Sequence, residues 1–214
     1  MIEVDLLDHM GSDTTVAKAA RVSFQADEYR TKEDNVRRIN YLAEHGHWSP
    51  FAHCFMQFHI KAPLFVARQL AKHQVGLSWN EVSRRYVDHQ PEFFTPTGWR
   101  GRAKTNKQGS GGYIQDQGTA SLILEDVHNK CLDEYKMLLK LGVAPEQARM
   151  VLPQTMLTEW YWSGSLYAFA RVYKERSSRL GGDSQRETQE VADQIERWAE
   201  TLFPHSWFAL THPT

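Results

Sequence analysis

Arg68-Gln69-Leu70-Ala71-Lys72-His73-Gln74, followed by Ser78-Trp79-Asn80-Glu81-Val82-Ser83-Arg84-Arg85-Tyr86, gathers cations, a histidine, a carboxylate and hydroxyls among Leu70, Val75, Leu77 and Trp79. A solvated surface does not normally interleave charges with large apolar side chains in this way. The pattern predicts a helix and a following turn that direct polar groups at one small anionic molecule. Phosphate recognition requires forked guanidinium donors and point-charge ammonium donors of this kind. On the predicted helix, opened by Pro63, Gln69, Lys72 and His73 fall at i, i+3 and i+4 and share a face. Val66, Ala67, Leu70 and Ala71 cover the other side. Ser78 to Glu81 has the spacing of a capping box, so a second helix-like segment is expected there and gives Glu81 a structural role. Ser83, Arg84 and Arg85 have no such role and suit a phosphate held by hydroxyl and guanidinium together.

Upstream, Met1 to Leu7 alternates as a short strand, and Ser12 to Val22 reads as a helix capped by Ser12 or Asp13. A second helix runs from Thr31 to His45, with Asp34 completing a capping box and Gly46 stopping it. Cys54, Met56, Phe58 and Ile60 form the apolar face of a strand. Downstream, the glycines and basic residues of 99–118 predict a flexible loop insertion, mildly basic at Arg100, Arg102 and Lys104. A long helix, Ser121 to Leu141, is expected to bury Leu124, Val127, Cys131, Tyr135 and Leu138. Pro145 opens a helix carrying Arg149, Ser163 to Arg176 reads as helical, and Gly181-Gly182 as a turn. The last helix, Ser184 to Leu202, is expected to bury Val191, Ile195, Trp198 and Leu202. The fold class is α+β: one domain over 1–214, with a small, mostly antiparallel sheet flanked by several long helices.

A length of 214 residues suffices for a substantial core, and a net charge of −1 confines any anion affinity to a local site. General nucleic-acid or membrane binding is not expected. Two distant cysteines, and no apolar run long enough to span a bilayer, place the chain in the cytoplasm. His45, His47 and His53 lack matched acidic or thiolate ligands, so no metal is expected. Cys54 and Cys131 sit at apolar positions and read as buried hydrophobes rather than nucleophiles. No glycine-rich phosphate motif follows a strand.

The motif stretch resembles that of the flavin-dependent thymidylate synthases, in which an Arg-His-Arg and a later Ser follow an Arg-Gln pair on one helix. Here Arg68-Gln69 is in place, Lys72-His73-Gln74 stands for Arg-His-Arg, and Asn80-Glu81-Val82-Ser83 with Arg85-Tyr86 closes the motif after a spacer one residue longer. Further matches are Ala20-Arg21-Val22-Ser23, Gly46-His47-Trp48-Ser49-Pro50-Phe51, Lys61-Ala62-Pro63, Arg149-Met150-Val151-Leu152-Pro153 and Trp162-Ser163-Gly164-Ser165-Leu166. Lys72 loses the guanidinium fork and Gln74 loses the charge of the family's arginines.

The resemblance implies methylation of dUMP to dTMP, with 5,10-methylenetetrahydrofolate supplying the carbon, NADPH the reducing power and FAD the hydride, in a homotetramer with sites shared between subunits. It gives FAD to Ser23, Ser49, Lys72, His73, Gln74, Glu81, Ser165, Tyr167 and Arg171, with His47 and His73 bordering the flavin. It gives dUMP to Gln69, Lys72, Ser83, Arg84, Arg85, Arg149 and a late arginine that polarises the uracil. That catalytic arginine is Arg176 or Arg179, and Arg176 is preferred because an insertion fits better in the Ser177–Gly182 loop. Two other readings stand beside this one: a related flavin enzyme that hydroxymethylates a pyrimidine nucleotide, and a nucleic-acid-binding module.

Overall fold

Strict alternation builds the sheet. In β2 (Phe55–Pro63), Met56, Phe58, Ile60 and Ala62 point inward and are buried, while Gln57, His59 and Lys61 face outward. The structure, a computed structural model, describes residues 1–24, 30–104, 109–180 and 184–212. β2 pairs antiparallel with β1 (Glu3–Met10) on one side and with β6 (Leu157–Ser165) on the other, and β3 (Leu77–Glu81) pairs with β6. The spatial order is therefore β1-β2-β6-β3.

β6 lies next to the centre of the sheet, and its pattern is strand-like: Thr158, Trp160, Trp162 and Gly164 are buried, and Glu159, Tyr161 and Ser163 alternate with them. Sequence reading found no strand there and placed Ser163 in a helix; the helix α6 (Leu166–Arg176) begins three residues later. Gly164 is needed where the strands approach, because a Cβ there would lie 2.5 Å from the Gly76 carbonyl oxygen.

Helices α1 (Asp13–Arg21), α2 (Lys32–Glu44), α3 (Leu64–Leu70), α6, α7 (Arg186–Leu202) and α8 (Pro204–Thr211) build the rest of one core with the inner sheet face. Trp160, Trp162, Phe58, Phe169, Tyr173 and Trp207 form its aromatic centre. Each such side chain contributes roughly 1.5–3 kcal/mol by leaving water. The expected α+β class, with its small antiparallel sheet and helices, is borne out.

Several local expectations are corrected. Pro63 ends β2 and caps α3 rather than opening it. α3 stops at Leu70, where the His73 N–H turns back to the Leu70 carbonyl at 2.9 Å, so Gln69, Lys72 and His73 do not share a helix face. Ser78 to Glu81 is strand, not helix: Leu77, Trp79 and Glu81 alternate across β6, and Trp79 stacks on Trp160 with ring centroids 4.4 Å apart. The segment 99–118 holds a hairpin of β4 (Arg100–Arg102) and β5 (Ser110–Tyr113), and α4 (Gln117–Lys140) starts before its end. Of the stripe expected to be buried on α4, only Tyr135 is; Val127 is exposed and Leu124, Cys131 and Leu138 are half-buried. On α7, Val191 and Ile195 are buried as expected, Leu202 is half-buried and Trp198 is exposed. The expected Gly181-Gly182 turn lies outside the described residues.

Candidate functional site

The end of α3 and the end of α6 meet at His73. The Arg176 Nε–H donates to His73 Nε2 at 3.1 Å, and Glu175 lies 4.0 Å from Nδ1. Burial lowers the His73 pKa from the ordinary 6.5; Arg176 lowers it further, Glu175 opposes them, and Arg171 adds a smaller lowering. His73 is therefore neutral at pH 7, accepting at Nε2 and carrying its proton on Nδ1. Gln69 is fixed beside them at both ends of its amide: Nε2 donates to Gln185 at 2.7 Å, and Oε1 accepts from the Thr188 hydroxyl at 3.1 Å. Lys72 and Gln74 flank His73 in the turn and are exposed, as is Arg171 on α6.

A second group gathers beyond the other end of β3. A cavity of about 380 Å³ is lined by Glu81, Arg84, His89, Arg149, Met156 and Glu159, among others. Arg84 is buried and donates to the His89 carbonyl at 2.5 Å. Glu81 accepts from the Thr158 hydroxyl at 2.8 Å and from the Trp79 indole at 3.2 Å. Ser83 accepts from Arg85 Nε at 3.1 Å, and the Arg85 guanidinium lies 5.1 Å from the Tyr86 ring centroid. Arg149 is exposed and donates to the Glu146 carbonyl at 3.1 Å. β3, about 13 Å long at ~3.3 Å per residue, lies between His73 and Ser83 along the chain.

The remaining candidates lie around α1, α2 and the start of α6. Trp48, exposed, packs on Tyr167 with centroids 5.9 Å apart, next to exposed Ser49. Ser165 is buried and accepts from the Ala168 N–H at 3.2 Å, so its hydroxyl caps α6. Ser23 follows α1, beside a cavity of about 440 Å³ lined by Arg21, Arg30, Asp34, Arg37, Arg38 and Tyr41. Arg21 is buried there and bonds Asn35. Tyr41 stacks on His45 at 4.0 Å and lies 6.3 Å from His47.

Arg179 is placed differently from Arg176. It pairs at 3.1 Å with Glu196, which is buried and also accepts from the Tyr173 hydroxyl. Glu196 raises the Arg179 pKa, and one guanidinium nitrogen is held at the α6–α7 seam while the side chain stays 63% exposed. Among the described residues no group of His, Cys, Asp and Glu is arranged to hold a metal ion.

The profile of the family described as "Thymidylate synthase complementing protein" matches residues 5–205. A flavin-dependent thymidylate synthase of Thermus thermophilus is 39% identical over 206 residues, covering 96% of this chain and 74% of that one. The enzyme of the same name from Kosmotoga olearia is 42% identical over 163 residues, covering 75% of this chain and 70% of that one. The chain belongs to the flavin-dependent thymidylate synthase family. Among solved structures, that of the UMP/dUMP methylase PolB from Streptomyces cacaoi bound with 5-Br dUMP superposes with a TM-score of 0.90 at 31% identity, over 99% of this chain and 95% of that one.

The donor set fits the cofactor for which flavin-dependent thymidylate synthases are named. A flat dinucleotide needs exposed aromatic faces and cations for its diphosphate. Exposed Trp48, backed by half-buried Tyr167, offers the first, and Lys72, Arg171 and the arginine-lined cavity offer the second. Sequence reasoning missed Gln185 and Thr188, which hold Gln69, and Glu175, which faces His73. Their signal is tertiary: more than 100 residues separate Gln69 from its partners. It also missed Glu187, whose buried carboxylate accepts from Arg100 Nη2 at 2.7 and 2.9 Å and pins the hairpin to α7.

Proposed function

We propose that this chain converts dUMP to dTMP: 5,10-methylenetetrahydrofolate gives the carbon and NADPH the reducing equivalents, leaving tetrahydrofolate and NADP⁺. The observation that carries this reading is the Arg176–His73 pair at the family motif. When bound, FAD supplies the hydride-transfer chemistry. The protein's task is to bind the nucleotide, orient it and stabilise charge on the uracil ring. Arg176 suits the last role, because its Nε is fixed on neutral His73 and its terminal nitrogens stay available to negative charge as N3 loses its proton. Arg179, held by Glu196, is not in a position to share that work, which supports the choice of Arg176.

A covalent route through cysteine is disfavoured. Cys54 is fully buried, and burial pushes its thiol up to about 11, so it is not a thiolate at neutral pH. Gln69 positions the nucleotide from the first group, while Ser83, Arg85 and Arg149 bind its phosphate from the second, with Arg84 lining the same cavity. Glu81 supports the flavin from the edge of β3. Because β3 holds the groups apart, one working site takes the first group from one subunit and the second from another, within a homotetramer. The arginine-lined cavity beside Ser23 supplies anion-binding charge that Gln74 does not, and Ser49, Tyr167 and Arg171 complete the flavin surface. The Ser165 hydroxyl acts at one remove, by capping the helix that carries Arg171 and Arg176. No described helix is long and apolar enough to cross a membrane, and we place the reaction in the cytoplasm.

The likeness to a UMP/dUMP methylase favours a second reading in which the pocket also accepts UMP. Purified protein incubated with FAD, NADPH, methylenetetrahydrofolate and either dUMP or UMP decides both, with products separated by chromatography. dTMP from dUMP is the expected outcome; no methylated nucleotide from either substrate would refute the proposal.

A further inference from the structure

α7 opens on Ser184-Gln185-Arg186-Glu187-Thr188, and this turn holds two residues that the proposed reaction directs at the nucleotide, Gln69 and Arg176. Gln185 flanks the helix start without capping it, so its side-chain amide is left to reach sideways. Its backbone carbonyl accepts the Thr188 N–H at 2.9 Å, which sets the two side chains three residues apart on one face. There they take Gln69 at both ends: Nε2 donates to Gln185 Oε1 at 2.7 Å, and Oε1 accepts from the Thr188 hydroxyl at 3.1 Å. The Ser184 hydroxyl donates to the Arg176 carbonyl at 2.8 Å, so adjacent residues of one turn tie the Gln69 amide to the helix end that carries Arg176. Arg149 has no such frame: directly after α5 (Pro145–Ala148), it is exposed and bonds one carbonyl. Thr188 is fully buried, and among the described residues its hydroxyl bonds Gln69 alone. A buried hydroxyl costs stability unless it is bonded, and valine would fill the same volume without that demand. The hydroxyl therefore serves Gln69 rather than the packing of α7.

A glutamine amide that turns over freely presents either order of donor and acceptor, because its two ends are alike in shape. Held at both ends, Gln69 cannot turn over without the Gln185 amide and the Thr188 hydroxyl turning with it. Uracil and cytosine differ at this level of detail. Along the same ring edge uracil offers an acceptor at C4 and a donor at N3, cytosine a donor at C4 and an acceptor at N3. We infer that Gln185 and Thr188 are positioning residues that lock the Gln69 amide in one orientation, and that the lock makes the site read uracil and refuse cytosine. The lock rests on the reading that Gln69 meets the base of a uracil nucleotide, and it is indifferent to whether the sugar is deoxyribose or ribose.

Competitive titration of the FAD-loaded full chain with dUMP and dCMP tests it. Thr188→Val and Gln185→Leu should each narrow the preference for dUMP over dCMP by about fivefold or more, the discrimination that one base-reading amide supplies. Thr188→Ser, which keeps the hydroxyl, should keep the preference. A variant that merely loosened the fold would weaken both nucleotides alike and leave their ratio unchanged. Gln69→Ala should weaken dUMP and lose the same part of the preference, and adding Thr188→Val to it should change the ratio no further. Gln69→Ala with wild-type affinity and wild-type ratio would show that the base does not meet Gln69, and the underlying reading would fail together with the lock. A weakened Gln69→Ala beside Thr188→Val and Gln185→Leu variants that keep the wild-type ratio would leave that reading in place and overturn the lock.

Discussion

Neutral His73 gives the site a pH signature whose sign is fixed by its surroundings. Its folded pKa lies below the ordinary 6.5, so the unfolded chain binds more protons in the interval between the two values. The contribution of His73 to stability is therefore complete above about 6.5 and is lost as the pH falls through the folded pKa. Protonation also removes the acceptor for Arg176 and sets two cations side by side. The NMR midpoint of His73 should lie below 6.5, and methylation should fall on the acid side of that midpoint; a midpoint above it would contradict the contacts. Arg176→Ala should abolish dTMP formation while NADPH-driven flavin reduction survives. Arg179→Ala should lower the melting temperature, because buried Glu196 loses its ion pair, and leave methylation largely intact; measuring both half-reactions separates the two. Gln74→Arg should tighten FAD by about 1–3 kcal/mol if the new guanidinium reaches a phosphate, as read by fluorescence titration. At this scale the motif residues were legible, since unusual residue types at fixed spacing survive without structural context. The choice between Arg176 and Arg179 was not settled, because it rests on Glu196, whose role is visible only once α6 and α7 are packed.

The hairpin β4–β5 shows how an element's fate depends on one distant partner. Glycines and basic residues read as a loop, yet Arg100 forms a two-contact pair with Glu187, and their side chains are only 18% and 7% exposed. Arg100→Ala leaves that carboxylate buried without its cation and should cost about 3–5 kcal/mol of stability. Chemical denaturation checks the loss, and faster hydrogen exchange in Ser110–Tyr113 checks its location; an unchanged midpoint would mean that the hairpin holds itself. β3 failed in sequence reading for a different reason. Ser78 and Glu81 have capping-box spacing, but Trp79 gains more from stacking on Trp160 across the sheet than one helical turn provides. β6 carried its signal openly in Trp160 and Trp162 alternating with Glu159 and Tyr161, which a period-two reading would have found. The buried stripe assigned to α4 had the right helix and the wrong surroundings, because periodicity does not say what a face meets.

The whole molecule is organised by β3, which holds Gln69, His73 and Arg176 beyond one end and Ser83, Arg85 and Arg149 beyond the other. The motif brings Gln69, His73, Ser83 and Arg85 together in the sequence; the fold separates them within one chain, and the proposed sharing of a site between chains reunites them. Subunit complementation is the decisive test of that sharing. Arg176→Ala removes the first group's charge and Arg149→Ala the second's, so each protein alone should be inactive on dUMP although folded and oligomeric. Mixed, dissociated and reassembled, the hybrids contain some sites whose two halves both come from intact surfaces. dTMP formation is expected to reappear in the mixture, at an appreciable fraction of the wild-type rate. Hybrid oligomers confirmed by native mass spectrometry that remain inactive would contradict a shared site and place the whole of it within one chain.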